Sequence, residues 1–135
     1  MRILAIDHGD KRIGLAICDE EERVAVPYGM MENRGTDFVV QEFTRIVHEE
    51  RIEKMLVGLP LHIDERATNA QLQKVHRFIG VLRGALQVTI ETIDERFSSV
   101  EADRRVEGIP KKLRAQRDAL AATIFLQDYL DQRGR

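Results

Sequence analysis

The 135-residue chain has one cysteine, three prolines, no tryptophan and only 5% aromatic residues. A lone Cys18 excludes an intrachain disulfide and a multi-thiolate zinc site, and reads as a small buried hydrophobe. There is no repeat, low-complexity tract or Ser/Pro-rich linker, so a single domain over residues 1–135 is expected. Such a length should bury roughly two thirds of its unfolded surface. It leaves no room for two full lobes around a cleft. No apolar run approaches the ~18 residues of a membrane span. Met1-Arg2-Ile3-Leu4 also leads straight into a strand-like segment, unlike a secretory signal. A soluble, cytoplasmic chain with no membrane partner is therefore expected.

A net excess of either charge is lacking as well. The chain has 21 basic and 23 acidic side chains, net −2, which offers nucleic acid or acidic lipid no general attraction. The distribution is uneven. Residues 1–67 carry nine basic and fourteen acidic groups, net −5, whereas residues 68–135 carry twelve and nine, net +3. Between Arg96 and Arg117 seven cations (Arg96, Arg104, Arg105, Lys111, Lys112, Arg114, Arg117) face three acids, net +4. That run reads either as a solvated helical face or as a phosphate-binding surface.

What is present is a strong apolar pattern. Ile3–Ile6, Ile13–Ile17 and Val24–Met30 read as three strands joined by short turns, an antiparallel meander. Pro27 places the third at an edge or a bulge. Phe38, Val39, Phe43, Ile46 and Val47 then recur at helical spacing behind a cap at Thr36 or Asp37. Met55–Val57 is a fourth strand, Leu72, Val75, Ile79, Leu82 and Leu86 mark a second helix, and Val88–Ile93 is a fifth strand. Ser98-Ser99-Val100-Glu101 fits a capping box opening a short helix. Ala119, Ala122, Thr123, Leu126 and Leu130 stripe a last helix. The order predicts an α/β fold: a mixed five-stranded sheet, three antiparallel strands then parallel crossovers, with helices on both faces.

Three carboxylate positions sit at the ends of these apolar elements: Asp7, the pair Asp94-Glu95, and Asp118. If strands one and five lie near each other, these acids could converge, and a cluster of that kind needs a cation to ionise. Oxygen-only donors favour Mg²⁺ or Mn²⁺ over zinc. Strand-end acids also cap turns, and Asp118 has Arg114 and Arg117 close by, so spacing alone leaves both readings open. Gly9 and Gly14 flank a turn holding Lys11 and Arg12, where positive φ and a bare backbone would admit a phosphate. A tight hairpin explains the same glycines. The histidines show no ligand spacing. His48 and His76 fall on predicted helices, leaving only His8 and His62 near the acids.

These residues carry a resemblance. Asp7-His8-Gly9-Asp10-Lys11-Arg12-Ile13-Gly14-Leu15-Ala16, Gly58-Leu59-Pro60-Leu61, Asp94-Glu95-Arg96-Phe97-Ser98-Ser99-Val100-Glu101-Ala102 and Asp118-Ala119-Leu120-Ala121-Ala122 resemble, in order and spacing, the motifs of the YqgF/RuvX family. The likeness covers nearly the whole chain. His62, where many relatives place Asn, and Asp64-Glu65-Arg66, in a loop often rich in glycine, depart from it. The resemblance implies an RNase H-like fold and a nuclease linked to maturing the 5′ end of pre-16S ribosomal RNA. It makes Asp7, Asp118 and one of Asp94 and Glu95, with Glu95 favoured, the ligands of two Mg²⁺ or Mn²⁺ ions. Gly9, Lys11, Arg12, Gly14, Arg96, Lys111, Lys112, Arg114 and Arg117 would then hold the phosphate backbone of a structured RNA precursor or a branched DNA.

Other functions predict different properties. A Holliday-junction resolvase must cut twice symmetrically, so it predicts a two-fold homodimer, where RNA processing is served by a monomer. A non-catalytic RNA-binding assembly module of the same fold would bind no divalent cation. A phosphotransferase of the actin/sugar-kinase type shares the strand-end Asp and glycines but needs a second lobe.

Overall fold

The computed structural model describes residues 1–59, 65–94 and 115–133, and the backbone alone at 65–69, 94 and 115–118. The chain runs β1 (Ile3–His8), β2 (Arg12–Cys18), β3 (Ala25–Glu32), α1 (Thr36–Glu49), β4 (Lys54–Leu59), α2 (Glu65–Ala85), β5 (Thr89–Asp94) and α3 (Ala115–Arg133). The expected capping box at Ser98–Glu101 and its helix lie outside the described residues, as do Pro60, Leu61, His62 and Asp64.

One five-stranded sheet has the order β3-β2-β1-β4-β5. The β1–β2 and β2–β3 pairs are antiparallel, while β1–β4 and β4–β5 are parallel. The meander and crossovers are therefore as expected. Strands one and five are not neighbours, however. β4 separates them, and because β1 and β5 both run parallel to β4, their C-terminal ends lie along the same edge of the sheet. Pro27 sits on the edge strand β3. The pairing there slips between Leu15, opposite Gly29, and Ala16, opposite Pro27, so Tyr28 is an extra residue. A bulge at the edge tolerates the missing N–H of proline.

Strand alternation splits the core into two layers. Leu4, Ile6, Ile13, Leu15, Ile17, Met55 and Val57 pack against α1 and α2 through Val39, Phe43, Ile46, Val75, Ile79 and Leu82. Ile3, Ala5, Ala16, Cys18 and Leu56 meet Ala122, Phe125, Leu126 and Leu130 of α3 on the other face. Phe43 and Phe125 are fully buried, one in each layer. The apolar stripe of α3 is broader than five positions, since Ala121, Ile124 and Phe125 are buried too. Small residues on both sides, Ala5 and Ala16 on the sheet and Ala122 on the helix, let α3 approach closely. Cys18 is buried, its sulfur accepting the Ile3 N–H (3.3 Å) and its thiol donating to the Met1 carbonyl (3.5 Å). Burial raises the pKa of that thiol.

Helix α1 is capped by Gly35, at φ 105, and by neither Thr36 nor Asp37. Glycine tolerates that backbone without the strain a side chain would bring. Among the described residues no helix is long and apolar enough to cross a membrane.

Candidate functional site

Asp7 is the next-to-last residue of β1, and its position follows from the ladder. The odd-numbered β1 residues Ile3 and Ala5 pack under α3, so alternation turns Asp7 to that same face, where it is half-buried. Its antiparallel partner on β2 is Gly14, itself opposite Met30 on β3. One step beyond the Ile6–Val57 pair, Asp7 comes level with Gly58 of β4, which pairs with Ile93 of β5. A single row therefore crosses the sheet: Met30, Gly14, Asp7, Gly58, Ile93. The two strands beside Asp7 contribute no side chain to that row.

Asp94 is the last residue of β5 and pairs with Leu59, two strands and about 10 Å across the sheet from β1. Asp118 lies in the first turn of α3, and helical period puts its position in line with Ala122 and Phe125 on the stripe facing the sheet. Glu95, Arg96, Lys111, Lys112 and Arg114 lie outside the described residues, and Arg117 is described in its backbone only. Among the described residues no three His, Cys, Asp or Glu side chains gather as a metal cluster.

The glycine turn is built differently from the expectation. Gly9 and Gly14 do not have positive φ; among the described glycines only Gly29 and Gly35 do. Gly9 is demanded by close approach instead, because a Cβ there would meet the Arg12 carbonyl oxygen at 2.4 Å. Lys11 is exposed in the turn. Arg12 opens β2 on the same face as Ala16 and Cys18, and so on the face of Asp7. It is the diagonal neighbour of Asp7 across the ladder, at about 7–8 Å. A cation at that place suits an anion lying over Asp7.

The histidines separate. His8 follows Asp7 in sequence but alternation sends it to the opposite face, where its ring meets Phe78 of α2 at a centroid distance of 4.4 Å. Burial lowers its pKa, against the pull of Asp10, so the imidazole is neutral near pH 7. His48 and His76 are exposed on α1 and α2, as expected. The acidic turn Asp19–Glu22 lies at the far end of β2, about 17 Å along the strand from Gly14. There Asp19 accepts the backbone N–H groups of Arg23 (2.8 Å) and Val24 (3.0 Å), and Glu22 pairs with Arg133.

A family model described as "RuvX: Holliday junction resolvase" matches residues 1–132. The chain belongs to the RuvX family. A relative from Chloroflexus aurantiacus, named "Putative pre-16S rRNA nuclease", is 39% identical over 135 residues, covering 97% of this chain and 87% of its own. One of the same name from Thermus thermophilus is 38% identical over 133 residues, covering 96% and 97%. Among solved structures, T. thermophilus RuvC in complex with Holliday junction substrate superposes with a TM-score of 0.62 at 15% identity over 99% of this chain and 96% of that one. The fowlpox virus resolvase in complex with Holliday junction DNA gives 0.60 at 12% identity over 100% of both. At such identities these two matches establish a shared fold.

Two functional features of this RuvX-family chain escaped the sequence. Asn33 clamps the turn between β1 and β2, donating through Nδ2 to the Gly9 carbonyl (3.1 Å) and through its backbone N–H to that of Lys11 (2.8 Å). Only a turn-forming Asn-Arg-Gly triplet hints at it. The second feature anchors α3. Tyr129 donates its hydroxyl to Glu91 Oε2 (2.6 Å), while Lys54 Nζ reaches both Tyr129 Oη (3.1 Å) and Glu91 Oε1 (2.9 Å). No spacing rule joins residues of β4, β5 and α3.

Proposed function

We propose that this chain is a divalent-metal-dependent nuclease that hydrolyses phosphodiester bonds in a structured RNA precursor, at the 5′ end of pre-16S ribosomal RNA. The observation that carries the reading is the row Gly14–Asp7–Gly58 at the C-terminal end of β1. It sets one half-buried carboxylate between two glycines, with Arg12 diagonal to it. The names of the curated relatives support the substrate class.

Asp7 suits a hard cation: it offers oxygen only, and a glycine stands level with it on each neighbouring strand. Asp118 and one of Asp94 and Glu95 would complete the ligand set. Between those two, the sequence motif favours Glu95. When bound, Mg²⁺ or Mn²⁺ supplies the positive charge that hydrolysis needs at the attacked phosphate and the leaving oxygen. The protein's own cations hold the strand. Lys11 and Arg12 contact phosphates beside Asp7, and Arg96, Lys111, Lys112, Arg114 and Arg117 extend that contact along the backbone. Such contacts position a strand without reading its bases. The domain acts in the cytoplasm as a single unit over residues 1–135.

The test is a cleavage panel of pre-16S leader RNA, single-stranded RNA and four-way junction DNA with Mn²⁺, run beside Asp7→Asn. Mn²⁺-dependent cleavage of the leader RNA that vanishes in Asp7→Asn is expected; retained cleavage by the variant overturns the role of Asp7. The family description favours a second reading, junction resolution. It requires preferential cutting of the junction by a two-fold dimer. A monomer cutting RNA excludes it.

A further inference from the structure

On the face of the sheet away from Asp7, α1 and α2 border a cavity of about 290 Å³ whose lining includes His8, Val40, Lys74, Arg77, Phe78 and Val81. We propose that this cavity holds one unstacked nucleotide of the substrate strand, its base on Val40, Phe78 and Val81 and its phosphate at Arg77 and Lys74. The inference rests on the nucleic-acid reading above and adds to it a site for a base.

The lining is divided in the way a nucleotide requires. Phe78 rests one side on His8 and is held from behind by Phe43, at centroid distances of 4.4 and 6.0 Å, yet stays half-buried. Val81 is 38% exposed and Val40 half-buried, so apolar surface stays open inside a concavity. Soluble chains keep such surface chiefly where something binds. The rim is polar and cationic. Lys74, Arg77, Phe78 and Val81 share one face of α2 by helical spacing. Lys74 is tied to Asp10 at 3.2 Å, whereas Arg77 has no hydrogen bond or ion pair among the described residues. A cationic rim over an apolar wall selects an anion with a flat apolar body.

Size and place narrow the choice. The cavity is at the lower limit for ligand sites, about 300 Å³, which suits one nucleotide and excludes a stacked run. It opens at the same edge of the sheet as Asp7, since His8 is the next residue on β1. A strand with a phosphate over Asp7 reaches it by crossing the turn at Gly9. RNA is read chiefly through unstacked bases of loops and bulges, and one slot of this kind fits a chain poor in aromatics.

The experiment titrates the full chain with 5′-AMP, 5′-UMP, ribose 5-phosphate and inorganic phosphate in EDTA, followed by amide shifts in ¹⁵N NMR. The proposal expects nucleotide-induced shifts at Val40, Phe78 and Val81, with affinity at least tenfold above that for inorganic phosphate. Arg77→Glu, at an exposed position, should lower nucleotide affinity at least tenfold. Val81→Trp, which fills the cavity, should abolish it. Asp7→Asn should bind nucleotide like the parent while cleaving nothing. Inorganic phosphate binding as tightly as nucleotide, shifts confined to other residues, or equal affinity in Arg77→Glu would each overturn the site. Asp7-dependent cleavage without nucleotide binding refutes the cavity and spares the nuclease, whereas binding without any cleavage refutes the nuclease alone.

Discussion

Asp7 stands directly opposite Gly14 in the β1–β2 ladder, so no side chain rises beside its carboxylate from β2. Directly opposed residues of an antiparallel pair project to the same face with Cβ atoms about 5 Å apart. A side chain at position 14 would therefore occupy the space next to the carboxylate. Gly14→Val is expected to lower Mn²⁺-dependent cleavage about 100-fold, the scale of a misplaced catalytic geometry. Initial rates at saturating Mn²⁺, with the far-UV spectrum and melting temperature as controls, check it. A folded variant within threefold of the parent rate would show that the space is not used.

Gly9 answers a different constraint. With the Arg12 carbonyl 2.4 Å from where its Cβ would stand, Gly9→Ala must open the turn. The expected cost is about 1–3 kcal/mol, as for other overpacked positions. The Asn33 hydrogen bond to the Gly9 carbonyl would be strained by the same movement. Urea denaturation should give a lower midpoint with an unchanged slope. Asn33→Ala, which removes that bond without crowding the turn, should cost less, about 1 kcal/mol.

Apolar runs and helical spacing were enough to expect five strands, a long helix after β3, another after β4 and a C-terminal helix. Pro27 pointed to an edge or a bulge, and β3 has both. What escaped depends on pairing between distant residues. Nothing in a linear pattern says that β4 lies between β1 and β5, or that Gly58 comes level with Asp7. Gly9 was expected to supply positive φ, but it serves close approach, a distinction that only a neighbouring carbonyl reveals. His8 could be placed near the acids by sequence, yet one step along a strand is a change of face. For Glu95 the sequence motif is the guide, while Asp94 ends β5 and Asp118 falls in the first turn of α3.

Lys11 is exposed in the turn beside the proposed site. If it neutralises one phosphate, binding must follow counterion release. The slope of log affinity against log salt should then fall by about 0.7 for single-stranded RNA, or 0.9 for a duplex, in Lys11→Ala. Affinity should fall alike for unrelated sequences, since a phosphate contact reads no base. Filter binding of catalytically silent Asp7→Asn and of the Asp7→Asn, Lys11→Ala double variant over a salt series measures both. An unchanged slope removes Lys11 from the interface.

The Tyr129–Glu91–Lys54 cluster ties α3 to β4 and β5 three helical turns from Asp118, and its strength depends on pH. The Tyr129 hydroxyl, and then Lys54, hold the Glu91 carboxyl below its ordinary pKa. Burial depresses Lys54, but its bonds to Glu91 and Tyr129 outweigh that and leave its pKa raised. A lowered carboxylate contributes stability above the ordinary range near 4.3 and loses it as pH falls through the folded value. A raised lysine contributes below about 10.4 and loses that as pH climbs through its folded value. Between those limits the cluster is intact. Tyr129→Phe removes a hydrogen bond to a charged acceptor and should cost about 1–2 kcal/mol at pH 7. That corresponds to roughly 3–8 °C in melting temperature for a domain of this size. Glu91 is neutral in both states well below its folded pKa, so the gap between parent and variant should narrow as pH falls from 5 to 3. Paired melting curves across that range decide it. A gap that stays constant would mean the hydroxyl contributes through packing, with no part in holding the carboxylate.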